Sequence, residues 1–439
     1  MKEKEKTPAP KPKEAKAKKK ANPSFQSLKG MRDILPADWP LWDKIISVGR
    51  ELAEYYSFFR IETPILEEAG LFAKGVGEGT DIVDKEMYAF KTKGGGQLAL
   101  RPEYTAPVMR SYLEHGFSHL PQPQRFYYFG PLFRHENPQA MRYRELRQFG
   151  FEVIGSADAV YDAEVITAAV RFLEGLKIKN ISLQINSIGC RVCRPNYVKK
   201  LVEFYKKQDV CRDCKKRLET NPLRVLDCKD KKCLELRASA PSVLDHLCQN
   251  CRTHFRSVLE YLDEISLPYV LNPSLVRGLD YYSRTVFEIF AAEEEASLAG
   301  GGRYDYLAEL LGGRPTPAIG VGIGLDRLVE VIKKNGNLSP GRIKPKIFLI
   351  HVGEVAKRKS FSIIEELRRA GVPVAAELGR DSLSAQMELA SKAEAPLALI
   401  FGQRESYEES IIIRDMKTGV QEAVPLTKMV EEVKRRISR

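Results

Sequence analysis

The sequence lacks several features, and each absence removes a class of protein. No apolar run approaches the ~20 residues that a membrane-spanning helix needs, and no apolar segment of the secretory-signal kind precedes the globular part. The Gly-x-x-x-x-Gly-Lys-Ser/Thr phosphate loop is missing, and Gly320 to Gly324 does not have dinucleotide-fold spacing. We therefore expect a cytoplasmic protein without a membrane span, and any nucleotide must be bound by another kind of site.

Cysteine is confined to one segment, because all eight lie between Cys190 and Cys251. In a chain that looks cytosolic, such a cluster favours metal binding over disulfides. The cysteines form four close pairs at spacings that suit structural zinc: Cys190/Cys193, Cys211/Cys214, Cys228/Cys233 and Cys248/Cys251. In chain order the first two pairs would make one site and the last two a second, but the sequence does not fix the pairing. Eight free thiols are the alternative.

Basic residues outnumber acidic residues mainly in two segments of the chain. The chain has a net charge of +12, while residues 1–24 carry +6 and residues 190–256 carry +9. Two basic segments suit an anionic polymer such as RNA, although a solvated tail and an ordinary basic surface would give the same charges. Residues 1–24 have no large apolar side chain after Met1, so we expect a disordered tail.

Hydrophobic periodicity predicts an antiparallel sheet flanked by helices, interrupted by the Cys-rich segment 190–256. The expected elements are a helix at 42–58, a strand at 59–65, a hairpin at 86–91 and 97–101, strands at 124–129 and 145–154, a helix at 161–175, a strand at 180–186, strands between about 269 and 324, and a helix at 325–334.

A linker is expected at 335–345. The pattern beyond it alternates strand and helix, which predicts a separate α/β domain with a mostly parallel sheet. Its expected elements are strands at 347–352, 372–377, 397–401 and 410–416, and helices at 355–370, 382–393 and 426–437.

Three arginines are candidates for binding phosphate. Arg134 ends a predicted strand, Arg277 lies in Leu-Val-Arg-Gly-Leu-Asp-Tyr-Tyr, and Arg327 follows a glycine-rich strand. Guanidinium groups stay charged and bind phosphate oxygens in pairs, so three of them could clamp a triphosphate. Taken singly, each arginine is more simply explained as one partner of a surface ion pair.

Five stretches together resemble a known family. Arg60 to Pro64, Phe133 to Glu136 and Gly322 to Arg327 resemble motifs 1, 2 and 3 of class II aminoacyl-tRNA synthetases. Leu275 to Tyr282 and Ala299 to Asp305 resemble the histidine-specific signatures of the histidyl-tRNA synthetase family. The class I signatures His-Ile-Gly-His and Lys-Met-Ser-Lys-Ser are absent.

The resemblance implies an α+β fold: a class II catalytic domain at 25–340 with an antiparallel sheet flanked by helices, the Cys-rich insertion at 190–256, and an anticodon-binding α/β domain at 346–439. It implies a homodimeric ligase that uses ATP and Mg²⁺ to convert L-histidine to histidyl-adenylate, releasing pyrophosphate. Histidine would then pass to the 3′ end of tRNA(His). The insertion would contact the acceptor stem of the tRNA, and its zinc would be structural.

Two alternatives keep the fold and lose the reaction. One is a regulatory paralogue from histidine biosynthesis, and the other is a module that senses uncharged tRNA. Such paralogues usually lack the phosphate-binding arginines and the C-terminal domain, both of which this sequence has, so the ligase is favoured.

The resemblance also implies roles for individual residues. Arg134 and Arg277 would hold the α-phosphate, Arg327 the γ-phosphate, and Glu136 would lie near the adenine. Histidine would be bound by Arg134 and Arg277 together with Glu103, Tyr104, Thr105, Gln148, Glu152, Tyr281, Tyr282 and Tyr304. Within this set, Glu152 and Tyr282 would contact the two imidazole nitrogens. Tyr104 stands where the family pattern has glycine, so we expect it to crowd the histidine-binding loop.

Overall fold

The computed structural model describes residues 25–77, 80–137, 142–291, 296–336 and 345–437. The predicted tail at 1–24 and most of the predicted linker lie outside the described residues. The chain divides into two compact units, residues 1–35 with 42–338, and residues 36–41 with 339–439. Among the described residues, none of the helices combines the length and the apolar character needed to cross a bilayer.

The first part of the chain contains eleven strands and ten α-helices in its described residues. The strands are β1 (Phe59–Arg60), β2 (Leu66–Glu68), β3 (Ala89–Lys91), β4 (Gln97–Leu100), β5 (Gln124–Phe133), β6 (Glu145–Ile154), β7 (Ile181–Ser187), β8 (Val270–Leu271), β9 (Ser283–Ala291), β10 (Ala299–Arg303) and β11 (Ala318–Gly324). The helices are α1 (Trp39–Tyr55), α2 (Ala69–Val76), α3 (Thr105–Glu114), α4 (Val160–Gly175), α5 (Arg194–Tyr205), α6 (Arg212–Thr220), α7 (Lys231–Arg237), α8 (Gln249–Glu264), α9 (Leu307–Leu310) and α10 (Leu325–Asn335).

Eight of these strands form one sheet in the order β1-β5-β6-β11-β10-β9-β7-β8. The six inner strands pair antiparallel, as predicted, and each two-residue edge strand pairs parallel with its neighbour. The predicted hairpin at 86–101 is also found, with β3 and β4 joined by β2 in a separate three-stranded sheet.

Successive side chains of β6 point alternately into the hydrophobic core and toward the opposite face of the sheet. Phe149 and Phe151 are fully buried, and Phe149 packs against Phe172 of α4 with ring centroids 5.1 Å apart. Successive side chains of a strand point to opposite faces, so Gln148 and Glu152 project from the other face of the sheet. The same residues that anchor helix α4 therefore determine where these two polar side chains point.

The predicted insertion is mainly helical and has its own small core. This core includes Tyr197, Leu201, Tyr205 and cysteines of the insertion. It is surrounded by helices α5, α6 and α7, the 3₁₀ helix Pro222–Asp227 and the start of α8. Six of the fourteen buried residues in this cluster are cysteines, so a cross-link between them would add to its stability.

The second unit has strands β12 (Ile347–His351), β13 (Ala375–Ala376), β14 (Leu397–Phe401), β15 (Ser410–Asp415) and β16 (Gln421–Pro425). Its helices are α11 (Glu354–Arg369), α12 (Leu383–Lys392), α13 (Gln403–Tyr407) and α14 (Leu426–Ile437). The sheet order is β13-β12-β14-β15-β16, and a buried apolar cluster lies between the sheet and its helices.

The predicted parallel pairing is confirmed for β12 with β13 and with β14, but the sheet is mixed, because β15 pairs antiparallel with both β14 and β16. A tight turn explains the pairing of β15 with β16. The Asp415 carboxylate accepts N–H bonds from Lys417 at 2.9 Å and Thr418 at 2.7 Å, and Gly419 has φ +75°. A turn this short can join only antiparallel strands. The predicted strand at 59–65 is also shorter than expected, since β1 ends at Arg60, before Pro64.

Candidate active site

The three predicted arginines line one cavity of about 900 Å³ at the end of the eight-stranded sheet. Arg134 directly follows β5, and its backbone N–H donates to the carbonyl of Arg144 at 2.9 Å, which continues the β5–β6 hairpin by one pair. Arg327 lies in the first turn of α10, and Arg277 lies between β8 and β9. The antiparallel sheet thus brings together three side chains from positions that span nearly 200 residues of the sequence.

Backbone carbonyls and one carboxylate orient these arginines. Arg134 Nε donates to the carbonyl of Pro102 at 2.8 Å, and Arg327 Nη1 donates to the carbonyl of Ser297 at 2.5 Å. Arg277 forms an ion pair with Glu288 of β9. Glu288 is a residue that sequence analysis missed, because its only signal is the pairing of β9 with strands far away in sequence.

Positive charge is concentrated in the part of this cavity that is lined by Arg134, Arg142, Arg277 and Arg327. Burial lowers the pKa of Arg327, and the neighbouring charges of Arg142 and Arg134 lower it further. Cations held this close together repel each other unless an anion joins them, so the cavity suits a polyphosphate. Glu136 contributes a nearby carboxylate, 3.6 Å from Arg142 and 3.9 Å from Arg134. We call this region the arginine cavity: Arg134, Glu136, Arg142, Arg277, Glu288 and Arg327.

A second, buried region adjoins it, with carboxylates in place of guanidinium groups. Glu152 of β6 is fully buried, and three hydroxyl groups donate to its carboxylate: Thr105 at 2.8 Å, Tyr128 at 3.3 Å and Tyr304 at 2.5 Å. Burial raises the pKa of Glu152 to about 8, although these hydrogen bonds act in the opposite direction. Near neutral pH this carboxyl therefore holds a proton in the free protein.

Glu103 is the other buried carboxylate. It accepts the N–H groups of Thr105 at 2.7 Å and Ala106 at 2.8 Å at the start of α3, and the hydroxyl of Tyr281 at 3.3 Å. Burial raises the pKa of Glu103 against these amide bonds. The same side chain thus satisfies the first turn of a helix and presents negative charge to the pocket.

Aromatic rings close the buried region. Tyr281 lies 4.7 Å from Tyr282 and 5.8 Å from Tyr304 between ring centroids, and all three are buried. We call the buried region the tyrosine pocket: Glu103, Thr105, Tyr128, Glu152, Tyr281, Tyr282 and Tyr304. Gln148 connects the two regions, since it lines the arginine cavity and accepts the hydroxyl of Tyr128 at 3.4 Å.

Tyr128 was missed by sequence analysis. It lies opposite Gly150 in the β5–β6 pairing, and so on the same face as Gln148 and Glu152. A Cβ at Gly150 would lie 2.2 Å from the Tyr128 ring, so glycine is needed there. Registering the two predicted strands against each other would have identified this tyrosine.

Two glycines of β11 make room for the polar side chains of β6. Gly320 pairs with Glu152 in the strand register, and Gly322 pairs with Gly150, two residues from Gln148. A Cβ would lie 1.6 Å from Glu152 Oε2 at the first position, and 2.2 Å from Gln148 Nε2 at the second. The alternating glycines near Arg327 therefore keep space for Glu152 and Gln148 instead of forming a dinucleotide loop.

Tyr104 does not enter this arrangement in the expected way. Its ring stacks on Tyr128 with centroids 4.0 Å apart, and its hydroxyl contacts the guanidinium of Arg101. Gly130 accommodates it, because a Cβ there would lie 2.1 Å from the Tyr104 hydroxyl. Tyr104 therefore sits one ring away from Glu152, and its expected contact with histidine stays a prediction.

The eight cysteines form two groups in the insertion, and within each group the sulfur atoms all lie within 4.8 Å of one another. The outer cluster is Cys190, Cys193, Cys248 and Cys251, and the inner cluster is Cys211, Cys214, Cys228 and Cys233. The pairing in chain order is therefore wrong. The first pair meets the last pair instead, since the sulfur atoms of Cys190 and Cys248 lie 3.8 Å apart, as do those of Cys193 and Cys251.

Comparisons with known proteins agree with this geometry. Residues 30–328 match a family model described as histidyl-tRNA synthetase, and residues 346–436 match one described as an anticodon-binding domain. The histidine–tRNA ligase of Dehalococcoides mccartyi is 45% identical over 417 residues, which cover 94% of this chain and 100% of that protein. The corresponding ligase of Pelotomaculum thermopropionicum is 41% identical, covering 93% and 97%. The crystal structure of apo histidyl-tRNA synthetase from S. aureus superposes with a TM-score of 0.78 at 32% identity, covering 93% and 100%.

Proposed function

The chain belongs to the histidyl-tRNA synthetase family and is a histidine–tRNA ligase, and we propose that the arginine cavity and the tyrosine pocket carry out its chemistry. In the first step the carboxylate of histidine attacks the α-phosphate of ATP, which forms histidyl-adenylate and releases pyrophosphate. In the second step a ribose hydroxyl of tRNA(His) attacks the activated carbonyl, and AMP leaves. The supporting observation is the junction at Gln148 between a cationic cavity and a buried pocket.

The arginines would stabilise the charge that develops during adenylation. Arg134 and Arg277 would hold the α-phosphate and Arg327 the γ-phosphate, with Glu136 near the adenine. Fixed guanidinium groups stabilise a phosphoryl transition state without reorganising, and their backbone bonds already hold them in place. Arg277 would exchange part of its pairing with Glu288 for the phosphate.

Mg²⁺ fits the donor set of the cavity, because magnesium prefers carboxylate and phosphate oxygens. Glu288 pairs with Arg277, so its carboxylate lies where an ATP phosphate would approach. We expect Glu288 to hold Mg²⁺ together with the phosphates. The metal would neutralise charge on the leaving pyrophosphate.

The tyrosine pocket would select histidine. Glu103, Thr105 and Gln148 offer acceptors for the ammonium group, while Glu152 and Tyr282 would meet the two ring nitrogens. The proton on Glu152 can be donated to an imidazole nitrogen, so the pair shares one proton without a net buried charge. An amino acid without those nitrogens would leave the proton on Glu152 without an acceptor, which is costly in a buried site.

We propose a homodimer that assembles through the β1 edge of the sheet. Two large apolar side chains beside this edge are exposed, Phe59 at 71% and Tyr55 at 81%. Burying them against a second copy would remove apolar surface from water and extend the core. A stable monomer at micromolar concentration in sedimentation equilibrium would contradict this assembly.

The remaining parts would contact tRNA in the cytoplasm. Residues 346–439 would bind the anticodon, and the basic insertion at 190–256 would contact the acceptor stem of the molecule charged by the catalytic domain at 25–340. The net charge of +9 in the insertion supports this contact, because phosphate neutralisation dominates nucleic-acid affinity.

Both cysteine clusters would hold structural zinc. The measured sulfur separations of 3.7 and 3.8 Å are far longer than a disulfide bond of about 2.05 Å. Four thiolates at about 2.3 Å from a tetrahedral Zn²⁺ are about 3.8 Å apart, which matches the observed separations. Four cysteine ligands leave no open coordination position, so the role would be structural.

The function is tested by aminoacylation. The purified chain should attach labelled histidine to a tRNA(His) transcript in the presence of ATP and Mg²⁺, and the label should become alkali-labile as an ester at the 3′ end. tRNA binding without any charging would favour the regulatory or sensor alternatives over the ligase.

A further inference from the structure

The inner cluster borders the catalytic cavity. Cys211 and Cys228 line the same 900 Å³ cavity as Arg134, Arg277 and Arg327. A closed four-cysteine site has no direct part in the chemistry, so its position requires a different explanation. The segment between its two halves supplies one.

This segment runs from Cys214 to Cys228 and includes the 3₁₀ helix Pro222–Asp227. Arg224 forms an ion pair of 2.8 Å with Asp81, and the Arg224 side chain is only 14% exposed. Asn221 Nδ2 donates to Asp280 Oδ1 at 2.7 Å. Two neighbouring side chains of the insertion thus contact two separate loops of the catalytic part.

Each of those loops carries residues of the candidate active site. Asp81 precedes the short helix Ile82–Glu86, and the carbonyl of Glu86 accepts the N–H of His135 at 2.7 Å, directly beside Arg134 and Glu136. A displacement of Asp81 would therefore be transmitted to His135 and its neighbours Arg134 and Glu136.

Asp280 lies between Arg277 and Tyr281, and its backbone N–H donates to the carbonyl of Val76 at 3.0 Å. A shift of Asp280 would therefore move residues of both the arginine cavity and the tyrosine pocket. Asn221 holds this loop from the side of the insertion.

We propose that metal bound at the inner cluster positions the catalytic loops through Asn221 and Arg224. The proposal rests on the proposed zinc and ligase functions, and it makes the inner cluster a condition for adenylation and not only for folding of the insertion. Without the metal, Cys214 and Cys228 are no longer held together, so the segment between them gains conformational freedom. The contacts of Asn221 with Asp280 and of Arg224 with Asp81 are then lost. Asn221 and Arg224 are positioning residues, because they act through Asp280 and Asp81.

The first test uses variants that leave all eight cysteines intact. Asn221→Ala with Arg224→Ala should lower kcat for histidine-dependent ATP–pyrophosphate exchange about tenfold, because small displacements of reacting groups are expensive. Zinc content measured by mass spectrometry should stay at two per chain. Arg224→Lys, which keeps the charge beside Asp81, should recover part of the loss.

The matched control is Arg191→Ala. Arg191 also joins the insertion to the catalytic part, through an ion pair of 2.7 Å with Glu309, but Glu309 lies in α9, outside the two loops. Exchange activity should stay within about twofold in this variant, as for an ordinary exposed pair. An equal loss in both sets would mean that any contact with the insertion matters, and would overturn the specific role of the two residues.

The second test links the metal to the contacts by a double-mutant cycle. Cys211→Ser should reduce zinc from two to one per chain and lower exchange about tenfold. It should have little further effect in the Asn221→Ala, Arg224→Ala background, since the same coupling is already lost. Hydrogen exchange should show faster amide exchange in residues 80–86 and 275–282 of Cys211→Ser, with no change in β14 of the second unit.

The outcomes separate this proposal from the proposed function. Wild-type protein with normal exchange and no bound zinc would overturn the proposal and leave the ligase assignment intact. Loss of zinc in Cys211→Ser with unchanged exchange would also overturn it. If Cys211→Ser does not fold, the Asn221 and Arg224 variants still decide the question, because normal exchange in them contradicts the proposal.

Discussion

The arginine cavity and the tyrosine pocket share strands β6 and β11, yet they differ in sign of charge and in burial. The cavity presents three partly exposed guanidinium groups that are held by carbonyl oxygens and by Glu288. The pocket presents the buried Glu152 and a set of buried tyrosine side chains. Each region therefore suits a different substrate. A polyphosphate in the arginine cavity can keep part of its hydration, whereas an imidazole ring in the tyrosine pocket must have all of its hydrogen bonds satisfied by the protein.

The largest expected effect removes the charge on the cavity side. Arg277→Ala should lower histidine-dependent ATP–pyrophosphate exchange about 100- to 1,000-fold, because a fixed donor to the reacting phosphate is lost. The circular dichroism spectrum should stay close to that of the wild type. Near-normal exchange would contradict the proposed role of Arg277 in binding the α-phosphate. It would also contradict the assignment of ATP binding to the arginine cavity.

The next prediction narrows the tyrosine pocket from the opposite strand. Gly320→Ala would place a Cβ 1.6 Å from Glu152 Oε2, so Glu152 must move, and exchange should fall about 100-fold. Gly324→Ala is a control on the same strand that leaves Glu152 untouched, since its Cβ would meet Arg327 Cδ and the Leu298 carbonyl at an ordinary contact distance of 3.7 Å, and its φ is −77°. A loss of activity in the control as large as in Gly320→Ala would mean that the strand, and not the pocket, is sensitive.

Glu152→Gln should weaken histidine binding while changing how protein stability depends on pH. The carboxyl of Glu152 keeps its proton up to a pKa of about 8 in the folded protein, whereas its usual value is 4.5. Between these values the folded state binds the extra proton, so wild-type stability falls as pH rises through this window. Glutamine has no such proton to lose.

The melting temperature of Glu152→Gln relative to wild type should therefore rise by a few degrees between pH 6 and pH 9, while its KM for histidine increases at least about tenfold. Differential scanning fluorimetry at three pH values measures the first effect. Parallel pH curves for the two proteins would contradict a proton on Glu152, and an unchanged KM would place the imidazole elsewhere.

The smallest expected effect concerns Tyr104, which lies one ring behind the pocket. Tyr104→Phe removes the hydroxyl that contacts Arg101, and Arg101 keeps its bonds to the carbonyls of Thr63 at 2.6 Å and Pro131 at 3.0 Å. We expect a loss of about 1 kcal/mol in the free energy of unfolding, with kcat/KM within about threefold of wild type. A tenfold rise in KM for histidine would instead support the direct contact implied by the family resemblance.

Local signals predicted much of the fold. Strand β6, with Glu145 to Ile154, and helix α14 were predicted with the same bounds as in the structure. The turn after Asp415, helix α13 and strand β16 were missed, because their signals are short and depend on backbone bonds between neighbours. Contacts that depend on strand register, such as Tyr128 with Glu152 and Arg277 with Glu288, were also missed.

The cysteine clusters show the same limit. Spacing indicated that each pair supplies two ligands of a metal site, but the sequence could not say that Cys190 meets Cys248 and not Cys211. That pairing depends on where β7 ends and where α8 begins, which only the assembled sheet determines. Residue types were thus predictable, while their partners required the structure.

The most direct test of the division between cavity and pocket is ATP–pyrophosphate exchange with purified protein and each of the twenty amino acids in turn. Histidine alone should support exchange, because the arginine cavity handles ATP regardless of the amino acid while the tyrosine pocket accepts only a ring with two nitrogens. Exchange with several amino acids, or none with histidine from a folded protein, would contradict the account.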